Sequence, residues 1–217
     1  MRVLIFGDSI TQGYWDTDGG WVERLRRHYD SIQAQNLETS DEPTVFNLGI
    51  SADNSANILD RIVPETLTRT RHGKLPVVIV QIGVNDSSWS GESGDAGVGL
   101  PIEKYEENMQ KIIDAVKPIC SKLILVGLSS CDESKTMPVF WGDFYYSNEQ
   151  IKRYEDVLEG IAEKNNISFI PIFDEFYSQI KLGKDYLPDG LHPNNDGHEF
   201  IYKLVLDKVD RIIANNY

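Results

Sequence analysis

An α/β fold with a five-stranded parallel sheet and helices on both faces is predicted by three observations. Short apolar runs alternate with longer amphipathic ones along the chain. The most apolar run, Val77 to Ile82, is hydrophobic on both faces, as a central parallel strand must be. No internal repeat and no linker rich enough to mark a boundary interrupts the alternation, so residues 1–217 read as one domain.

The elements follow in order. Val3 to Phe6 reads as a buried strand, Gly20 to Ile32 as a helix and Thr44 to Leu48 as a second strand. Asn54 to Thr70 has helical spacing, with Ile58, Ile62, Val63 and Leu67 on one side and Pro64 able to kink it. After the central strand, Ile102 to Val116 is a helix stopped by Pro118, and Leu123 to Val126 a fourth strand. Asn148 to Asn165 carries an apolar stripe of Ile151, Tyr154, Val157, Leu158 and Ile161. Ile167 to Ile172 is the fifth strand and Asn195 to Ile213 the last helix. Two loops are long, Ser87 to Leu100 and Ser129 to Ser147; both follow strands and so share one edge of the sheet. Whether they act as lids is open.

Composition narrows the function. A net charge of −13, from 34 acidic and 21 basic side chains, opposes nucleic acid, polyanionic substrates and anionic membranes. The densest basic stretch, Arg24, Arg26 and Arg27, reads as a solvated helix face. The two cysteines, Cys120 and Cys131, fit free thiols in a reducing compartment. The opening apolar run is too short for a signal peptide, and no segment is long enough to span a membrane. A cytoplasmic protein is the expectation; its oligomeric state is not readable.

In an open parallel sheet, ligands bind beyond the carboxyl ends of the strands. Those ends carry Gly7-Asp8-Ser9-Ile10, Gly49-Ile50-Ser51, Gly83-Val84-Asn85-Asp86 and, after a further segment, Asp189-Gly190-Leu191-His192-Pro193. The set suits acyl transfer. A serine hydroxyl needs a base to take its proton, and an imidazole, ordinarily titrating at about 6.5, serves near neutrality. Asp189 can reach back to the His192 ring and hold its orientation. Candidate oxyanion donors are the Ser9 N–H, the Gly49 N–H and the Asn85 side-chain amide. Asp8 and Asp86 read as braces of their loops.

Taken together, these segments resemble the conserved blocks of the GDSL or SGNH hydrolases. Gly7-Asp8-Ser9-Ile10 is similar to the GDSL block with Ile for Leu, and Asn47-Leu48-Gly49-Ile50-Ser51 to the second block. Gly83-Val84-Asn85-Asp86 matches G-x-N-D, and Asp189-Gly190-Leu191-His192-Pro193 matches D-x-x-H-P. The resemblance implies a flavodoxin-like three-layer sandwich and a serine esterase. Ser9, Gly49, Asn85 and His192 would be its four signature residues, and Asp189 would complete the triad. It implies no metal and no cofactor, and a small-molecule ester as partner. Short-chain acyl esters are the expected substrates, acetyl esters of carbohydrates among them; a lysophospholipase or a thioesterase is the alternative within the family. The long loops carry aromatics, among them Trp89, Trp141 and Tyr145, as candidate substrate-binding residues, which could equally cover the sheet edge.

Other motifs are weaker. Asp16-Thr17-Asp18-Gly19 imitates a phosphatase D-x-D-G but lacks the preceding strand. The spacings of metallophosphoesterases and the G-x-S-x-G elbow are absent. A flavodoxin-like binding protein, with the turn at residues 9–13 around a flavin phosphate, is the reading from another class; it leaves Asn85, Asp189 and His192 unused.

Overall fold

The computed structural model describes residues 1–38, 43–92 and 99–214, without the side chains of residues 213 and 214. Residues 93–98 of the first long loop lie outside the described residues. Five parallel strands form the main sheet in the order β2-β1-β3-β5-β7. They are β1 (Arg2–Gly7), β2 (Thr44–Gly49), β3 (Val77–Gln81), β5 (Lys122–Val126) and β7 (Ser168–Ile170). Every residue of the central β3 is buried, as its two-sided apolar pattern predicts.

Strand order explains the three layers. The chain leaves β1 toward β2 in one direction and later builds β3, β5 and β7 in the other. Right-handed crossovers therefore put the connecting helices on opposite faces. On one side α2 (Gly20–Gln35) packs against α8 (Asn195–Ala214). On the other, α3 (Ser55–Arg69) packs on α4 (Ile102–Val116), and α4 on α6 (Asn148–Lys164). The direction reverses between β1 and β3, which opens a crevice at their carboxyl ends.

The differences from the sequence reading are local. α3 runs on through Pro64, and its buried stripe is Ile58, Ile62 and Thr66, whereas Leu67 is exposed. The last strand is shorter than expected because a further helix, α7 (Phe173–Lys181), begins at once and buries Phe173 and Phe176. Two single-turn helices also form, α1 (Ser9–Gln12) and α5 (Glu133–Thr136). The long loops pair with each other, β4 (Trp89–Ser90) against β6 (Phe144–Tyr145), antiparallel. Arg24 is buried rather than solvated: its guanidinium pairs with Asp16 and with Glu199 of α8. Arg26 and Arg27 are exposed, as predicted. Both cysteines are free and buried, and burial pushes their thiols up to about 11 for Cys120 and about 12 for Cys131. Among the described residues no helix is long and apolar enough to cross a membrane.

Candidate active site

The site starts where β1 stops. Gly7 ends the strand so close to its neighbours that an added Cβ would lie 2.0 Å from Thr11 Oγ1 and 2.5 Å from Gln81 O. The chain then turns into α1. Asp8 caps that turn, its carboxylate accepting the Ile10 N–H at 2.9 Å. The serine next to it is thereby released from capping. Its hydroxyl lies 2.8 Å from His192 Nε2.

Behind the imidazole stands Asp189. Its Oδ2 is 2.7 Å from His192 Nδ1, while its Oδ1 accepts the N–H groups of Leu191 (2.9 Å) and His192 (2.8 Å). Burial alone would raise this carboxyl. The hydrogen bonds from the His192 ring and from these two N–H groups outweigh it and hold Asp189 at about 2. An ionised Asp189 accepts the Nδ1 proton and leaves Nε2 as the acceptor facing the Ser9 hydroxyl. Asp8 differs: burial dominates and raises it to about 6, against the N–H of Ile10 and the charge of His192. Asp86 is likewise raised by burial to about 6, and both of its oxygens accept the Ser55 N–H at the start of α3.

The oxyanion donors require one correction. Gly49 does not offer its N–H, which is given to Asn47 Oδ1 at 3.0 Å. Its glycine identity has a packing cause: a Cβ there would sit 2.3 Å from the Gln12 nitrogen. Three residues on, Ala52 lines the cavity instead. It occupies a turn closed by Asp53 N–H to Ile50 O (3.1 Å) and has φ +68°, the left-handed backbone that the third position of a type II turn requires. Arg61 clamps this turn by holding the Asp53 carboxylate and the carbonyls of Gly7 and Leu48. The Asn85 amide is fixed from both ends. Its Nδ2 donates to Asp53 O at 2.9 Å, and its Oδ1 accepts the Tyr146 hydroxyl at 3.2 Å. One N–H of that amide remains for a ligand.

Ser9, Ala52, Asn85, Asp189 and His192 share one cavity of about 650 Å³. Aromatics from two directions line it. Tyr14 and Trp15 come from the turn after α1, and Phe140, Trp141, Phe144 and Tyr146 from the second long loop. Of the three aromatics singled out in the sequence, only Trp141 is at the site, its ring 5.7 Å from that of His192. Trp89 and Tyr145 instead stack on each other, 5.7 Å apart, across the β4–β6 ribbon and outside this cavity. The flavin reading fails at the turn itself. The N–H groups of Ile10, Gln12 and Gly13 are spent on Asp8 and Ser9, so beyond the Ser9 N–H the turn offers no ring of donors to cradle a phosphate. Among the described residues no three His, Cys, Asp or Glu side chains gather as metal ligands would.

Ala52, Tyr14 and Trp15 were not singled out in the sequence. The one signal for the aromatic pair was its place directly after the turn that follows Ser9. Ala52 gave none, because alanine does not advertise a left-handed backbone.

Comparison with known proteins places the chain in a family. The model of the GDSL-like lipase/acylhydrolase family matches residues 5–200. The isoamyl acetate-hydrolyzing esterase of Saccharomyces cerevisiae is 23% identical over 222 residues, covering 100% of this chain and 87% of that one. A lipase/acylhydrolase from Enterococcus faecalis superposes with a TM-score of 0.71 at 22% identity, over 96% of this chain and 94% of the other. An acetylxylan esterase from Geobacillus stearothermophilus superposes with a TM-score of 0.67 at 20% identity, over 96% and 93%. A family match across nine-tenths of the sequence, on a five-stranded parallel sheet with this serine and histidine at its edge, makes the chain a member of the GDSL-like lipase/acylhydrolase family and a carboxylic ester hydrolase.

Proposed function

We propose that the chain hydrolyses short-chain acyl esters, acetyl esters above all, by a double displacement at Ser9. The observation that carries this reading is the row Ser9 Oγ, His192 Nε2, His192 Nδ1, Asp189 Oδ2, with steps of 2.8 and 2.7 Å, opening into the cavity that holds Asn85. Ser9 Oγ attacks the ester carbonyl while its proton passes to His192 Nε2. The resulting oxyanion is met by the Ser9 N–H, the Ala52 N–H and the remaining Asn85 N–H. Collapse breaks the carbon–oxygen bond of the alcohol, which leaves with the His192 proton. Water, deprotonated by the same imidazole, then releases the acid and restores Ser9. Asp189 keeps the imidazole in the tautomer that can do this.

The acyl preference rests on shape and on kinship. The cavity lining includes small or polar groups (Ser51, Ala52, Asn54, Ser88) beside large aromatics, of which Trp15, Phe140, Trp141 and Phe144 are exposed and could take an alcohol group. Two relatives are named for acetyl esters, one of isoamyl alcohol and one of xylan. A series of p-nitrophenyl esters from two to twelve acyl carbons tests this directly. The highest kcat/KM is expected at two to four carbons, with a fall of at least about tenfold by eight. A maximum at eight or more carbons would replace this reading with a lysophospholipase- or thioesterase-like one. A fluorophosphonate should add one adduct, and peptide mass spectrometry should find it on Ser9.

The oxyanion assignment makes its own prediction. Asn85→Ala should lower kcat on an acetyl ester by about 10²–10³ with little change in KM, the usual result of losing one such donor. Ala52→Gly keeps the N–H and suits φ +68° better, so kcat should stay within a few-fold of wild type. Steady-state kinetics on both variants decide the matter; a loss of less than threefold in Asn85→Ala would remove that amide from the hole.

A further inference from the structure

Trp15 touches more than the cavity. Its indole Nε1–H donates to Asp189 Oδ2 at 2.5 Å, the same oxygen that faces His192 Nδ1. The residue is 53% exposed and lines the cavity. The backbone that aims it is unusual for a bulky residue, with φ +66° at the third position of the turn Gly13 to Asp16. That turn is held from three elements. Tyr14 N–H bonds to Ser9 O of α1 at 2.9 Å, and His198 Nε2 of α8 lies 3.3 Å from Tyr14 O. The Asp16 carboxylate binds the Gly20 N–H of α2 and the buried Arg24, which reaches on to Glu199 of α8. A left-handed tryptophan fixed so firmly next to a site points to a task there.

We propose that Trp15 is a positioning residue: its N–H orients the Asp189 carboxylate and draws off part of its charge, moderating its pull on His192. Because the same residue lines the cavity, an alcohol group seated on its ring covers this hydrogen bond and shields the carboxylate from water. The inference rests on the triad reading above. It adds that base strength in the triad is set by a residue that is also part of the substrate-binding wall.

Trp15→Phe keeps a ring and removes the donor. With one donor fewer, the carboxylate holds the imidazolium more tightly, so the acidic limb of the kcat–pH profile should move to higher pH. At neutral pH kcat should fall several-fold. The other titratable groups facing His192 stay as they are. These are Asp8 at the end of β1, the Tyr14 ring 5.0 Å away, and His198 on α8; Tyr146 stands beside Asp8 and Asp189. A second measurement isolates the route: in an Asp189→Asn background, adding Trp15→Phe should change kcat less than twofold. An unmoved acidic limb, with loss confined to KM, would overturn the proposal and leave Trp15 as wall alone; so would a full additive loss in the Asp189→Asn background. Melting temperatures within a few degrees of wild type confirm that the variants fold. If Ser9→Ala kept its activity, the triad reading itself would fall; a dead Ser9→Ala with an unmoved limb in Trp15→Phe condemns only the role of Trp15.

Discussion

Ser9→Ala is expected to lower kcat on an acetyl ester by about 10⁶, and His192→Ala by a similar factor, with the double variant no worse than either alone. The reason is geometric. Ser9 Oγ and His192 Nε2 are 2.8 Å apart and act in a single event, the transfer of one proton as one bond forms. Removing either partner removes the whole event, so the losses do not add. What remains is catalysis by the oxyanion donors and by binding, which in such sites is worth about 10³–10⁴ over water. The variants should fold: alanine in place of Ser9 removes one oxygen, and the cap of α1 belongs to Asp8. Single-turnover assays with a p-nitrophenyl acetate burst measure both variants. A Ser9→Ala enzyme that still shows a burst would place the nucleophile elsewhere.

The division between what the sequence discloses and what it hides follows from where the physical constraint lies. Val77 to Ile82 announces a central strand because both of its faces are dry, and the alternation of runs then fixes the parallel sheet. Ser9 is legible because it stands directly after a strand, whereas Asp189 and His192 lie beyond α7, in the loop that leads into α8, and are marked by their own D-x-x-H-P spacing. Gly49 misleads for an instructive reason. A glycine after a strand can be required by a backbone approaching a substrate or by a backbone approaching another helix, and sequence does not separate the two; here the neighbour is Gln12. Ala52 owes its position to the geometry of the turn from Ile50 to Asp53, which Arg61 of α3 holds through the Asp53 carboxylate. Tyr145 shares its loop with Trp141, but the pairing of that loop with the one that holds Trp89 stacks the Trp89 and Tyr145 rings on each other outside the cavity. Buried polar groups such as Gln81 are hidden in the same way. It accepts from Thr11 and Trp21 and donates to Gly127 O, bonds made by residues up to 70 positions away.

Asp189→Asn should lower kcat by about 10⁴ while leaving the shape of the site nearly intact. Each carboxylate oxygen faces only donors. Oδ1 meets the N–H groups of Leu191 and His192, and Oδ2 meets His192 Nδ1 and the Trp15 indole. An amide cannot satisfy this pattern either way round. With its NH₂ toward the imidazole, it opposes the Trp15 N–H and forces the His192 proton onto Nε2, where it faces the Ser9 hydroxyl and cannot accept from it. With its NH₂ toward the backbone, it sets donor against two donors. Stability carries a matching signature. Asp189 titrates at about 2 in the fold against an ordinary 3.8, a gap worth roughly 2 kcal/mol. Because the folded value is the lower one, this contribution is complete above the unfolded value and is lost as pH falls toward about 2. The difference in unfolding free energy between wild type and Asp189→Asn should therefore shrink between about pH 4 and 2. Urea unfolding at a series of pH values measures it, and a difference that held its size down to pH 2 would mean that the carboxylate's charge does not enter the balance.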